Sequence, residues 1–379
     1  MAADGGGDRL EWLDGLRGLA ALAVALFWHY VHFVDPYQDS PLTIAAAPGA
    51  GLPGIGALYR HGYLAVDLFF LLSGLVFHHV YAARIAAGRI GFGTFLALRL
   101  TRLYPAHLAG FLATAALIAL VGGLGVTGHA GSATVIGNLL LVNDGTSFNH
   151  PSWSLSVEMA LYVLFFAAMQ TVGPALAAPV LIFAGIGIFL KTDLFILTGL
   201  ARGLIGFFLA VGAAEAVRCI RSGERLSPVL VAGLAATLPF CWWIKTFAFD
   251  LAALAALGAV AALAPLRRLA AARPLRGLGA ISLAVYMLHL PIQLGLSALW
   301  QAFGQALPAD RPWFWALYAG SVLVIATGFH RACEVPLREA LRRRLAARPL
   351  RPSRSRRRAS FPFAPVQGAK GKEPGYRVR

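Results

Sequence analysis

The chain has 379 residues, of which 58% are hydrophobic and only 13% charged, with a mean hydropathy of +0.68. Soluble domains carry about twice that charged fraction, so a soluble enzyme, a disordered chain and a coiled coil are excluded. The formal net charge of +16 and a pI near 10.6 raise nucleic acid as a partner until the basic residues are located.

A membrane-crossing helix needs about 20 mostly apolar residues. Ten stretches meet that requirement: 13–33, 62–82, 107–127, 152–170, 173–190, 194–217, 226–244, 247–266, 278–300 and 312–333. A further apolar stretch, 134–142, is too short to cross and reads as a re-entrant or interfacial piece. The first stretch contains Asp14, Arg17 and His29 and is followed by no small-residue cleavage site. It reads as a retained helix, not a signal peptide. With the N-terminus placed in the cytoplasm, 28 of the 33 Lys and Arg fall on the inner side. Four (Arg60, Lys191, Lys245, Arg311) fall outside, and Arg202 lies within a span. That asymmetry is what positive-inside sorting predicts for ten spans with both termini cytoplasmic.

The expected architecture is therefore an all-α polytopic membrane protein, with a transmembrane domain over 1–335 and a basic tail over 336–379. The tail reads as an amphipathic helix to about 347 and then disorder. From Arg331 onward, fifteen Lys and Arg stand against three acids, so most of the positive balance belongs to this tail. It suits attraction to the anionic inner leaflet and removes the need for a nucleic-acid partner. Cys219, Cys241 and Cys333 lie far apart, so neither a disulfide framework nor a metal site is expected.

Ionisable residues inside spans are costly and mark function or a buried pair. Arg17 lies near the cytoplasmic end of the first span, and His29 twelve residues on, about 18 Å further along a helix. Asp67 in the second span and Glu158 in the fourth fall in the same outer half, while Arg17, Arg99 and Arg102 collect toward the cytoplasm. A His beside a carboxylate can deprotonate a hydroxyl, the carboxylate fixing the tautomer. Guanidinium groups suit a phosphorylated cytoplasmic donor such as an acyl-CoA.

At this point the residues resemble the membrane-bound acyltransferase-3 family of bacterial O-acyltransferases, from about residue 10 to 340. The resemblance rests on Leu13-Asp-Gly-Leu-Arg-Gly-Leu-Ala-Ala-Leu22 leading to His29, and on Gly62-Tyr-Leu-Ala-Val-Asp-Leu-Phe-Phe-Leu-Leu-Ser-Gly74. It continues in Arg99-Leu-Thr-Arg102 near Pro105, in Ser152-Trp-Ser-Leu-Ser-Val-Glu158, and in Ile281-Ser-Leu-Ala-Val-Tyr-Met-Leu-His289-Leu-Pro291 followed by Glu334-Val-Pro336. The resemblance implies His29 as catalytic base, Asp67 and Glu158 at the family's acidic positions, Arg17 as essential, and Arg99 and Arg102 as the RxxR motif tied to donor handling. It implies acetyl-CoA or a related thioester as donor, without a metal, and a carbohydrate or glycolipid of the cell surface as acceptor, in a bacterial inner membrane. Two departures stand out. The family usually places the histidine eleven residues after the arginine, and here it is twelve. One residue turns a helix by about 100°, so either the helix is wound differently or the alignment slips and His32 is the alternative. Ala65 stands where the family often has Gly.

Each of these residues has a plainer reading. His29 could be an interfacial histidine bonded to backbone, and Asp67 or Glu158 a structural ion pair, for instance with Arg202. Arg99 and Arg102 could be topology signals only. His289 reads either as pore-facing or as a helix-packing hydrogen bond. Trp153 reads as an interfacial anchor, and Ser154, without a GxSxG elbow, as a helix cap or hydrogen-bond partner. The competing function is a secondary transporter, which also uses intramembrane His and carboxylates; such proteins commonly show repeated halves, and no repeat is visible.

Overall fold

The computed structural model describes residues 11–33, 41–121, 132–142 and 147–346. Among these the chain is helical without a strand. Eight helices are long and apolar enough to cross a membrane: α1 Glu11–Phe33, α2 Pro53–Ala86, α3 Phe92–Leu120, α4 His150–Thr171, α6 Phe195–Arg221, α8 Lys245–Ala262, α9 Arg273–Ala302 and α10 Pro312–Ala340. Two shorter apolar helices, α5 Pro174–Phe189 and α7 Pro228–Trp242, occupy the fifth and seventh expected stretches. The 134–142 stretch forms part of a helix over Ser132–Leu140. Helix continues after α10 to Ala346; the part of the expected tail over 347–379 lies outside the described residues. α3 starts at Phe92, fifteen residues before the apolar stretch that announced it, so Arg99, Arg102 and Pro105 all sit within it.

α1 and α9 pack closely because small residues let their backbones approach. A Cβ on Gly18 would lie 2.7 Å from the Gly279 backbone nitrogen, and one on Gly279 would lie 2.1 Å from the Asp14 carbonyl oxygen. This seam carries Arg17 and His29 on one helix and His289 on the other. The core around it is aromatic: Tyr30, Tyr59, Phe314 and Tyr318 are buried on the α1–α10 side, and Phe77, Phe95, Tyr162, Phe165 and Phe207 on the other. Such rings bury large apolar area and pack edge to face.

α1 is not a uniform α-helix. Residues Ala23–Trp28 form a π-helical turn, and His29–Phe33 a 3₁₀ turn. The His29 N–H reaches back five residues to the Val24 carbonyl. An i→i+5 turn takes up one extra residue, which accounts for the twelve-residue spacing from Arg17 to His29. Of the two explanations left open by the sequence, local winding is the one seen. The loosened carbonyls find side-chain donors on neighbouring helices: Tyr318 Oη donates to Ala25 O at 2.9 Å, Trp315 Nε1 to Leu26 O at 3.0 Å, and Gln293 Nε2 to His29 O at 2.9 Å. Buried backbone groups must be paired, so Tyr318 and Trp315 hold the π turn in place and Gln293 holds the start of the 3₁₀ turn after it.

Candidate functional site

His29 is buried at the junction of the π and 3₁₀ turns, with His289 of α9 as its polar partner. His29 Nδ1 lies 2.6 Å from His289 Nε2, and His289 Nδ1 lies 3.2 Å from the Val285 carbonyl oxygen. His32 and His150 complete a cluster, with ring centres 4.9 and 6.3 Å from that of His29. His150 opens α4, and the residue before it ties this end to α9, where Asn149 Nδ2 donates to Met287 O at 2.9 Å. Three buried polar atoms around this cluster, Gln293 Oε1, His150 Nδ1 and Asn149 Oδ1, have no partner among the described residues. Buried polar atoms are normally satisfied, so this is the kind of surface that a polar ligand would complete.

The two acidic residues read from the sequence lie elsewhere. Asp67 is fully buried and held by Arg202, with Nε 2.9 Å from Oδ1 and Nη2 2.6 Å from Oδ2. The Arg202 guanidinium lies over the rings of Tyr63 and Trp153, each at 5.7 Å. Trp153 is thus packed against a cation within the bundle. Glu158 accepts from Ser73 Oγ at 3.3 Å and from Tyr162 Oη. Among the described residues neither carboxylate bonds to His29.

The arginines separate as well. Arg99 donates to Tyr81 Oη, and its guanidinium lies over the rings of Tyr81 at 4.8 Å and Phe77 at 5.3 Å. It lines neither of two adjoining cavities. Arg102, one turn on, lines both, together with Arg17. The larger cavity, about 310 Å³, also takes in Arg276 and Arg338. Glu11 pairs with Arg276 and Asp14 with Arg17, the latter at 3.8 Å. Arg102 and Arg338 enter it without an ion-pair partner among the described residues. The smaller cavity, about 50 Å³, lies beyond Arg17 and Arg102 and is lined by Ser73, Ser154, Glu158 and Tyr286. Ser154 Oγ donates to the Pro151 carbonyl oxygen at 3.0 Å and lies 3.0 Å from Tyr286 Oη, whose hydroxyl can donate to it, and the Tyr286 ring centre is 6.1 Å from that of His289. A line of polar side chains thus runs from an arginine-rich cavity, past Glu158 and Tyr286, to the His289–His29 pair.

Several of these residues were not singled out as site residues from the sequence. His150 lies just before the 152–170 stretch, outside the segments where an ionisable group signals function. Gln293 is uncharged and carries no signal of an intramembrane ionisable group. Asp250, buried on α8 with both carboxylate oxygens unpartnered among the described residues, abuts Gly206. A lone acid within an apolar stretch was the available signal. Arg276 and Arg338 were hidden among the many basic residues assigned to the inner side. Among the described residues no group of three or more His, Cys, Asp or Glu could hold a metal ion.

The long apolar helices and the polar seam between them define a multi-pass α-helical membrane protein with a histidine-based interior site. The chain belongs to the acyltransferase-3 family: the family model described as an acyltransferase domain matches residues 10–331. It is 34% identical over 164 residues to acyltransferase MdmB of Streptomyces mycarofaciens, a match covering 41% of this chain and 38% of that protein. It is 29% identical over 177 residues to protein 2 in the picA locus of Rhizobium radiobacter, covering 42% of this chain and 81% of that one. The chain thus spans well under half the length of the first relative. No solved structure matches it.

Proposed function

We propose that the chain is a membrane O-acyltransferase that moves an acyl group, acetyl above all, from cytoplasmic acyl-CoA to a hydroxyl of a cell-surface or lipid-linked carbohydrate, in a bacterial inner membrane. The observation that supports this most is the line of polar groups from the arginine cavity to His29. Guanidinium groups bind phosphate in a fork, so Arg102, Arg17, Arg276 and Arg338 suit the phosphates of a donor entering the larger cavity. The smaller cavity has room for only a few heavy atoms, which suits a short acyl group. His29 takes the proton of the attacking hydroxyl, and the unpartnered amide and imidazole atoms around it suit the other hydroxyls of a sugar.

The test is incubation of the purified chain in lipid with a series of radiolabelled acyl-CoAs, followed by mass spectrometry of the cell's glycans with and without the gene. Label transfer from acetyl-CoA, and glycan acetyl groups that vanish with the gene, are expected. Unchanged glycans together with no consumption of any acyl-CoA would overturn the reading.

A further inference from the structure

Requiring that both contacts of a neutral His289 be hydrogen bonds leaves one placement of protons. His289 Nδ1 lies 3.2 Å from the Val285 carbonyl oxygen. A carbonyl can only accept, so Nδ1 carries the hydrogen. Neutral His289 then has its lone pair at Nε2, 2.6 Å from His29 Nδ1, and His29 Nδ1 is the donor. The free lone pair of His29 is left at Nε2. Ring geometry agrees. The ring centres are 4.8 Å apart and the planes differ by 13°. Two ring radii added to a 2.6 Å contact reach that separation only when both nitrogens point along the line joining the rings. The two imidazoles therefore meet edge to edge, along the N–H and lone-pair directions, as a strong hydrogen bond requires. Gln293, one turn beyond His289, holds the His29 carbonyl at 2.9 Å. Val285, His289 and Gln293 lie on one face of α9 at four-residue spacing, and this face fixes both the ring and the backbone of His29.

We propose that His289 is the positioning residue that locks His29 in its Nδ1-protonated tautomer and presents Nε2 as the base. It takes the place that a carboxylate fills in Ser-His-Asp sites. The inference rests on the acyl-transfer reading above. In the step, the acceptor oxygen forms a bond to the thioester carbonyl carbon while His29 Nε2 takes the hydroxyl proton. The C–S bond then breaks and the same proton passes from Nε2 to the departing thiolate, giving ester and CoA thiol. His289 stays a neutral acceptor throughout. A neutral partner keeps a second charge out of the apolar bundle, where charge is costly.

The experiment uses membranes of a gene-deleted strain re-expressing the full chain, with [¹⁴C]acetyl-CoA as probe and label in total glycan as readout. Rates are taken against donor concentration and normalised to folded protein by size-exclusion profile. His29→Ala should abolish transfer. His289→Leu should lower kcat at least about 100-fold, the scale of a general base held in the wrong tautomer, with the donor KM unchanged. His289→Gln, whose amide oxygen reaches the Nε2 position, should recover kcat to within about tenfold of the parent. A purely packing role would not separate Leu from Gln. Should the Leu variant not be recovered folded, His289→Asn, too short to accept from His29, replaces it with the same expected loss. Full activity of the Leu or Asn variant, or a Gln variant as poor as Leu, overturns the proposal while leaving the function standing. Transfer that survives His29→Ala, or no transfer by the parent chain, overturns the function reading and the proposal with it.

Discussion

Arg202 grips both carboxylate oxygens of Asp67, Nε on one and Nη2 on the other, with the carboxylate fully buried. The pair joins α2 to α6 through the middle of the bundle. Removing one partner strands the other charge in an apolar medium, at a cost of about 3–5 kcal/mol. Asp67→Asn and Arg202→Gln should each lower the unfolding midpoint in detergent markedly. The double variant should be more stable than the sum of the two losses, because neither member of the pair is left to strand the other. A double variant as unstable as that sum would show that the two residues act independently.

Arg99 and Arg102 lie one turn apart on α3 yet have different neighbours, one against Tyr81 and Phe77, the other in both cavities. Arg102→Gln should raise the acetyl-CoA KM about tenfold or more, since a hydrogen bond to a charged group contributes about 1.5–3 kcal/mol. Arg99→Gln should leave that KM nearly unchanged and cost about 1 kcal/mol of stability, the scale of a partly buried cation–π contact. Steady-state kinetics and thermal melts of the two variants separate these outcomes.

The π turn makes an unusual expectation for insertions and deletions. Deleting Ala23, at the start of that turn, removes the one extra residue and lets the helix close as α with His29 still facing α9. Transfer should survive within about tenfold. Inserting an alanine after Leu22 rotates everything beyond it by about 100° and should abolish transfer. Label transfer by membranes carrying each variant decides the matter.

The Gly18–Gly279 approach predicts that a single methyl group at this seam reaches the site. Gly18→Ala places its Cβ against backbone that cannot step aside. It should cost about 1–3 kcal/mol by overpacking and lower transfer by stretching the His29–His289 contact. Gly295→Ala on the same α9 meets nothing within 4 Å and serves as the neutral comparison.

Helix content and the long apolar stretches were legible because twenty apolar residues have few other uses. The site was legible in part. Ionisable groups in apolar surroundings drew attention to His29, Asp67, Glu158 and Arg17, and periodicity alone could say no more than which depth each shared. Which partner each finds depends on helix neighbours that hydropathy does not encode. Asp67 turned to Arg202, one of the plainer readings, and Glu158 to Tyr162 and Ser73. His289 met His29 because Gly18 and Gly279 bring two distant helices together. The start of α3 was misjudged by fifteen residues because a helix that carries arginines at its end is longer than its apolar part.

The two short helices also bear on the surrounding lipid. α5 has 16 residues and is about 24 Å long at the helical rise; α7 is of similar length, and the two pack together where Gly233 meets Pro179. A typical hydrocarbon core is about 30 Å thick. Local thinning of the bilayer by several ångströms is one way for this flank to cross. The protein would then sit in a dimple of its own making, and a lipid-linked molecule arriving on that side would have less hydrocarbon to traverse than anywhere else around the bundle.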